Sequence, residues 1–95
     1  MGDRPVRQLG PVPRRNPRAA ARVIAGEALI LTPEDSLLHT LNPVATRVWE
    51  LLEHETDRER LAETIAAEYD VSPETARNDI DELLASLVEK KVLVP

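Results

Sequence analysis

Residues 36–53 read Ser-Leu-Leu-His-Thr-Leu-Asn-Pro-Val-Ala-Thr-Arg-Val-Trp-Glu-Leu-Leu-Glu, and the change of period inside this stretch decides the fold class. Ser36 to Leu41 is short and apolar enough for a strand. In extended form it sends Leu37, His39 and Leu41 one way and Leu38 and Thr40 the other. Asn42-Pro43 then supplies an N-cap and a proline at the first helical position, where the missing N–H does no harm. Val44, Val48, Leu51 and Leu52 follow at helical spacing as far as about Glu53. A strand feeds directly into a helix, so sheet and helices share one small unit.

Upstream lie two more short strands. Arg18 to Ile24 is rich in Ala, Val and Ile and ends at Ala25-Gly26, a tight turn; Glu27 to Leu31 follows as the second strand. Thr32-Pro33-Glu34-Asp35 is turn chemistry, with proline presetting φ. Three strands this short form a meander that cannot stand alone, so helices must cover one face.

Downstream, Thr56-Asp57-Arg58-Glu59 has the pattern of a capping box, with Thr56 as the cap and Glu59 reaching back. Leu61, Ile65 and Tyr69 carry a second helix, broken at Asp70-Val71. Ser72-Pro73 caps a third helix to about Lys90, with Ala76, Ile80, Leu83, Leu84 and Leu87 on one stripe. Val92-Leu93-Val94 is an apolar tail able to return to the sheet. The expectation is an α+β fold: a small winged-helix-like domain with a three-stranded antiparallel meander followed by three helices.

A length of 95 residues leaves room for one such domain. There is one Trp, one Tyr and no Phe, so the core is aliphatic. Without cysteine there is no thiolate nucleophile, disulfide or Cys-based metal site, and a cytoplasmic setting fits. No apolar run is long enough to span a membrane, and no apolar stretch follows the basic N-terminus as in a signal peptide. Charge is uneven. Residues 1–22 hold six Arg against Asp3, for +5; residues 23–95 hold six Lys or Arg against sixteen acids, for −10. With four prolines as well, residues 1–17 read as a flexible basic arm, tether or solubilising tail, and residues 18–95 as the folded domain.

No catalytic constellation emerges, and the expectation is a protein that is not an enzyme, with no cofactor and no metal. His39 and His54 lie on different elements without the spacing of a helical zinc pair, and no glycine-rich phosphate loop occurs. The acids fall mostly on solvent faces of helices.

The run Leu38-His39-Thr40-Leu41-Asn42-Pro43-Val44-Ala45, with Val48-Trp49-Glu50-Leu51-Leu52, resembles the PqqD family of peptide chaperones. That family shows a strand ending in Leu-Asn, a small residue, then Ile or Val-Trp-x-Leu-Leu. Leu61 to Tyr69 is similar to its second helix. Asp79-Ile80-Asp81-Glu82-Leu83-Leu84-Ala85-Ser86-Leu87 looks like its third, followed by the Val-Leu-Val close. The resemblance spans about residues 20–94. The loop Glu53-His54-Glu55-Thr56 departs from it, lacking the Asp-Gly that often follows the first helix.

The resemblance implies a RiPP recognition element, which binds the leader segment of a ribosomally made precursor peptide. It would present that peptide to a modifying enzyme such as a radical SAM protein or a leader peptidase. An extended leader can add to an open sheet edge. The family analogy puts that edge on Ser36 to Leu41, with the third helix as the opposite wall. The implied contacts are Leu37, Leu38, His39, Thr40 and Leu41, with Arg77, Asp79, Ile80, Leu84 and Leu87 across from them. Leu41, Leu83 and Leu87 also suit a plain core role, as does Trp49. Asp79 can cap, pair with Arg77 or Arg47, or meet a basic leader residue. The alternatives are a winged-helix DNA-binding regulator or a general protein-interaction adaptor. Against DNA stands the third helix itself, whose span Pro73 to Lys91 holds three basic residues and five acids.

Overall fold

The computed structural model describes residues 11–95. Its elements run β1 (Arg14–Arg15), β2 (Ala20–Ile24), β3 (Glu27–Thr32), β4 (Leu37–Thr40), α1 (Pro43–Leu51), α2 (Arg58–Tyr69), α3 (Pro73–Glu89) and β5 (Leu93–Val94). The expected α+β arrangement is present: β2, β3 and β4 form an antiparallel meander in that order, and three helices follow. Ala25 and Gly26 both take positive φ between the paired residues Ile24 and Glu27. Such a two-residue turn matches the twist of a hairpin, and it is cheap only where glycine supplies one of the two positions.

Among the described residues only one face of the meander is covered. Ala28, Ile30 and Thr32 of β3 are fully buried against the helices, which contribute Val48, Leu61, Leu84 and Leu87 to the same core. Truncating a side chain as enclosed as Leu84 to alanine costs about 2–5 kcal/mol. The caps of α1 and α3 are those expected: Asn42 accepts from the Ala45 N–H at 2.8 Å, and Ser72 accepts from the Thr75 N–H at 3.1 Å.

Three expectations are corrected. The cap of α2 is Asp57, which accepts from the Glu59 N–H, while the Thr56 N–H donates to the Glu55 carboxylate. Aspartate caps as well as threonine does, and the helix starts one residue later. The tail does not rejoin the meander: β5 pairs with β1 in a separate two-stranded ribbon, Arg14 opposite Val94 and Arg15 opposite Leu93.

The boundary at residue 18 also moves. Residues 11–17, expected within the arm, lie against the domain, whereas residues 1–10 are outside the described residues. Val12 is buried and its N–H donates to the Thr56 carbonyl at 3.2 Å. Asn16 is buried too: its amide nitrogen donates to the Lys91 carbonyl at 2.9 Å and to the Glu34 carboxylate at 3.2 Å. The Arg15 guanidinium stacks 3.6 Å from the centre of the Trp49 ring. Proline and arginine content signalled disorder, but two ladder residues, one buried amide and a cation–π contact suffice to hold this segment.

Candidate functional site

Among the described residues the meander has two open edges, β2 and β4. The Leu41 N–H donates to the Ala28 carbonyl at 2.9 Å, and Ala28 and Leu41 continue the β3–β4 register. Main-chain groups alternate in direction along an antiparallel strand, so His39 and Leu37 also bond to β3. Leu38 and Thr40 therefore turn their N–H and C=O groups away from the sheet. These are the groups that an added strand would use.

The side chains divide as the alternation requires. Leu37 and His39 stand opposite Thr32 and Ile30 and share their covered face. Leu38 and Thr40 stand opposite Leu31 and Leu29 on the outer face. Leu37 is 52% exposed and Leu38 64%, so both sides of this edge offer apolar surface to water.

Local polar contacts fix the strand at both ends. The buried Thr32 hydroxyl donates to the Asp35 carboxylate, which also accepts from the Leu37 N–H at 3.2 Å. The hydroxyl bond holds the Asp35 carboxyl below its usual range. His39 Nε2 lies 3.2 Å from the same Thr32 oxygen. At the other end, the buried Thr46 hydroxyl of α1 donates to the Leu41 carbonyl at 3.2 Å and accepts from the Ala28 N–H at 2.8 Å. One side chain thus fastens the helix to two strands.

Leu41-Asn42-Pro43 leads from β4 to Val44, which forms one wall of an apolar cleft of about 180 Å³. Val48 of α1, Ile65 and Tyr69 of α2, and Ala76, Asp79, Ile80 and Leu83 of α3 complete it, with Val71 from the α2–α3 turn. Val44, Tyr69 and Val71 are all exposed. Asp70, between the last two, takes the left-handed conformation as the C-cap of α2 and sets the turn. The Asp79 carboxylate is exposed on the cleft lining. Arg47 and Glu68 form a two-bond ion pair between α1 and α2, each bond 2.8 Å, and the pair holds the Glu68 carboxyl below its usual range.

The residues singled out from the sequence separate into three groups. Leu37, Leu38, His39 and Thr40 form the open edge. Asp79 and Ile80 line the cleft. Leu41, Leu84 and Leu87 are buried, each less than 10% exposed, and serve the core. Arg77 is committed to Glu59 at 2.6 Å, so Asp79 pairs with neither Arg77 nor Arg47. Val44, Tyr69 and Val71 were not singled out as site residues. Their signal was weak: one apolar residue just inside a capped helix start and two flanking a helix break. Among the described residues no group of three or more His, Asp or Glu could hold a metal ion, and no helix is long and apolar enough to cross a membrane.

A three-stranded antiparallel meander backed by three helices matches the fold of PqqD proteins and RiPP recognition elements. The resemblance noted in the sequence has a direct counterpart. The chain belongs to the PqqD family: residues 27–93 match the model described as coenzyme PQQ synthesis protein D (PqqD). No curated protein matches the chain. Among solved structures it is similar to "TbiB1 in Complex with the TbiA(beta) Leader Peptide", at 27% identity and a TM-score of 0.80. That match covers 85% of this chain and 94% of the other.

Proposed function

We propose that this domain binds the leader segment of a ribosomally made precursor peptide as an added strand along β4. It then presents the peptide to a modifying enzyme, either a radical SAM protein or a leader peptidase. The observation that carries this reading is the edge at Leu38 and Thr40, whose main-chain groups have no strand beside them among the described residues and which exposes Leu37 and Leu38. Two further facts support it: membership of the PqqD family, and likeness to a protein solved with a leader peptide bound. Main-chain bonds would supply affinity, and alternate leader side chains would supply specificity. Leader residues on the covered face meet Leu37 and His39, and an apolar residue further along the leader seats in the cleft at Val44, Tyr69 and Val71.

Titration of the isotope-labelled chain with synthetic candidate leaders tests this reading. The cognate leader is expected to shift the amides of residues 37–40 together with those of Val44 and Val71. Saturable binding that leaves residues 37–40 unmoved would place the ligand elsewhere.

A further inference from the structure

The opposite edge of the meander has a different character. Because Ala28, Ile30 and Thr32 of β3 bond to β4, the intervening Glu27, Leu29 and Leu31 bond to β2 through Ile24, Arg22 and Ala20. Ala21 and Val23 therefore turn their main-chain groups outward, and all five residues of β2 are exposed.

This edge is also where the available positive charge lies. Residues 11–22 contain Arg14, Arg15, Arg18 and Arg22 and no acid. On the helices each arginine has a carboxylate partner: Arg47 with Glu68, Arg58 with Asp81, Arg60 with Glu55 and Arg77 with Glu59. On β2 itself Arg22 has no ion-pair partner among the described residues; just before it Arg18 reaches Glu34 only at 3.9 Å, whereas Arg15 of β1 is paired with Glu53 at 3.4 Å. Beneath the strand a cleft of about 350 Å³ stays open because Ala19 and Ala21 are small; Arg15, Ile30 and Trp49 line it as well.

We propose that β2 is a second strand-addition site, which takes an extended acidic segment of a partner protein. Such a segment would bond to the main chain of Ala21 and Val23 and set carboxylates beside Arg18 and Arg22. Alternate apolar side chains would point to the cleft under Ala21. Complementary charge steers and selects such an encounter. A nucleic acid is the poorer fit, since it has no main-chain N–H and C=O ladder with which to use an open strand edge as a peptide does. The site does not depend on the reading of β4, and both edges can be filled at once.

The test uses the isotope-labelled full chain and three probes: a short capped peptide alternating Glu with Val or Thr, its counterpart with Lys for Glu, and a short DNA duplex. The acidic peptide is expected to shift the amides of residues 20–24 while leaving residues 37–40 in place. Its affinity should fall about tenfold or more when salt is raised from roughly 20 to 200 mM. The exposed double variant Arg18→Glu with Arg22→Glu should lose that binding and gain the Lys peptide. Val23→Pro, which removes an outward N–H, should weaken the acidic peptide without reversing the preference; if it fails to fold, the charge-reversal arm stands alone. Absence of shifts at residues 20–24, equal binding of the Lys peptide to the native chain, tighter binding of the duplex, or unchanged binding by the charge-reversed chain would each overturn the proposal.

Discussion

Leu38 stands directly opposite Leu31 on the outer face of the meander, at a site where the two residues exchange no ladder hydrogen bond. Side chains come closest at such sites, yet the two remain 64% and 45% exposed because nothing lies over this face or beyond β4 among the described residues. Ala20, paired to Leu31 from the other side, extends the row across all three strands. A strand added to β4 would continue that row by one position.

Replacing Leu38 tests the row. Leu38→Glu sets a charge where an apolar leader side chain would pack, in a place that loses water on binding. Affinity for the cognate leader should drop about tenfold or more, equivalent to roughly 1.4 kcal/mol, with native circular dichroism. Glu63→Gln, on the exposed side of α2, should change little. Titration calorimetry of the two variants beside the native chain checks this.

Thr40→Pro probes the backbone in the same place. Its N–H points away from β3, so proline there leaves the ladder intact and removes only an outward donor. The melting temperature should stay close to native while leader binding weakens at least tenfold. Paired melting and binding curves separate this outcome from simple unfolding.

Asn16 is expected to matter to stability. Its side-chain oxygen accepts from the nearby Arg18 N–H, and its amide nitrogen reaches two distant parts of the chain, the Glu34 carboxylate and the Lys91 carbonyl. Asn16→Ala leaves partly buried polar groups without partners, which costs about 1–3 kcal/mol. Removing residues 1–17 also strips Val12 and β1 from the body. It should lower the melting temperature by more than about 5 °C, the shift that roughly 1 kcal/mol produces in a domain this small. An unchanged melt for both chains would show that these contacts contribute nothing.

Stability should also fall in acid. Glu34 is held below its usual 4.5 by a backbone hydrogen bond and the Asn16 amide, Asp35 by the Thr32 hydroxyl, and Glu68 by Arg47. A carboxyl lowered in the folded state contributes stability that is complete above its unfolded value. That stability is lost as pH drops through the folded value. Thermal melts should therefore be flat above about pH 5 and decline below 4.5. Glu68→Gln should make the decline shallower; parallel curves for variant and native chain would remove Arg47–Glu68 from the explanation.

The fold was legible because its signals are local. Asn42-Pro43 and Ser72-Pro73 announce two helix starts, and Ala25-Gly26 announces a hairpin. The alternation in Leu37 to Leu41 assigned each side chain to a face, and the register agrees. The candidate edge was reached through the family resemblance, with the physics of open strands alongside it. What escaped depends on contacts distant in sequence. Asn16 finds Lys91 across the chain, Arg77 finds Glu59 on the neighbouring helix, and Val44 meets Tyr69 and Val71 only after three helices pack. Composition describes residues 11–17 as a poor core former, which is correct, yet a short ribbon with β5 needs little core.

Hydrogen exchange at two amides tests the central claim most directly. In the free chain the N–H groups of Leu38 and Thr40 face no partner strand among the described residues, so they should exchange far faster than those of His39 and Leu41, which bond to β3. Saturation with the cognate leader should slow Leu38 and Thr40 by at least about tenfold and leave Ala21 and Val23 unchanged. If the leader binds while Leu38 and Thr40 exchange as fast as before, no strand has been added to β4 and the account of this edge is wrong.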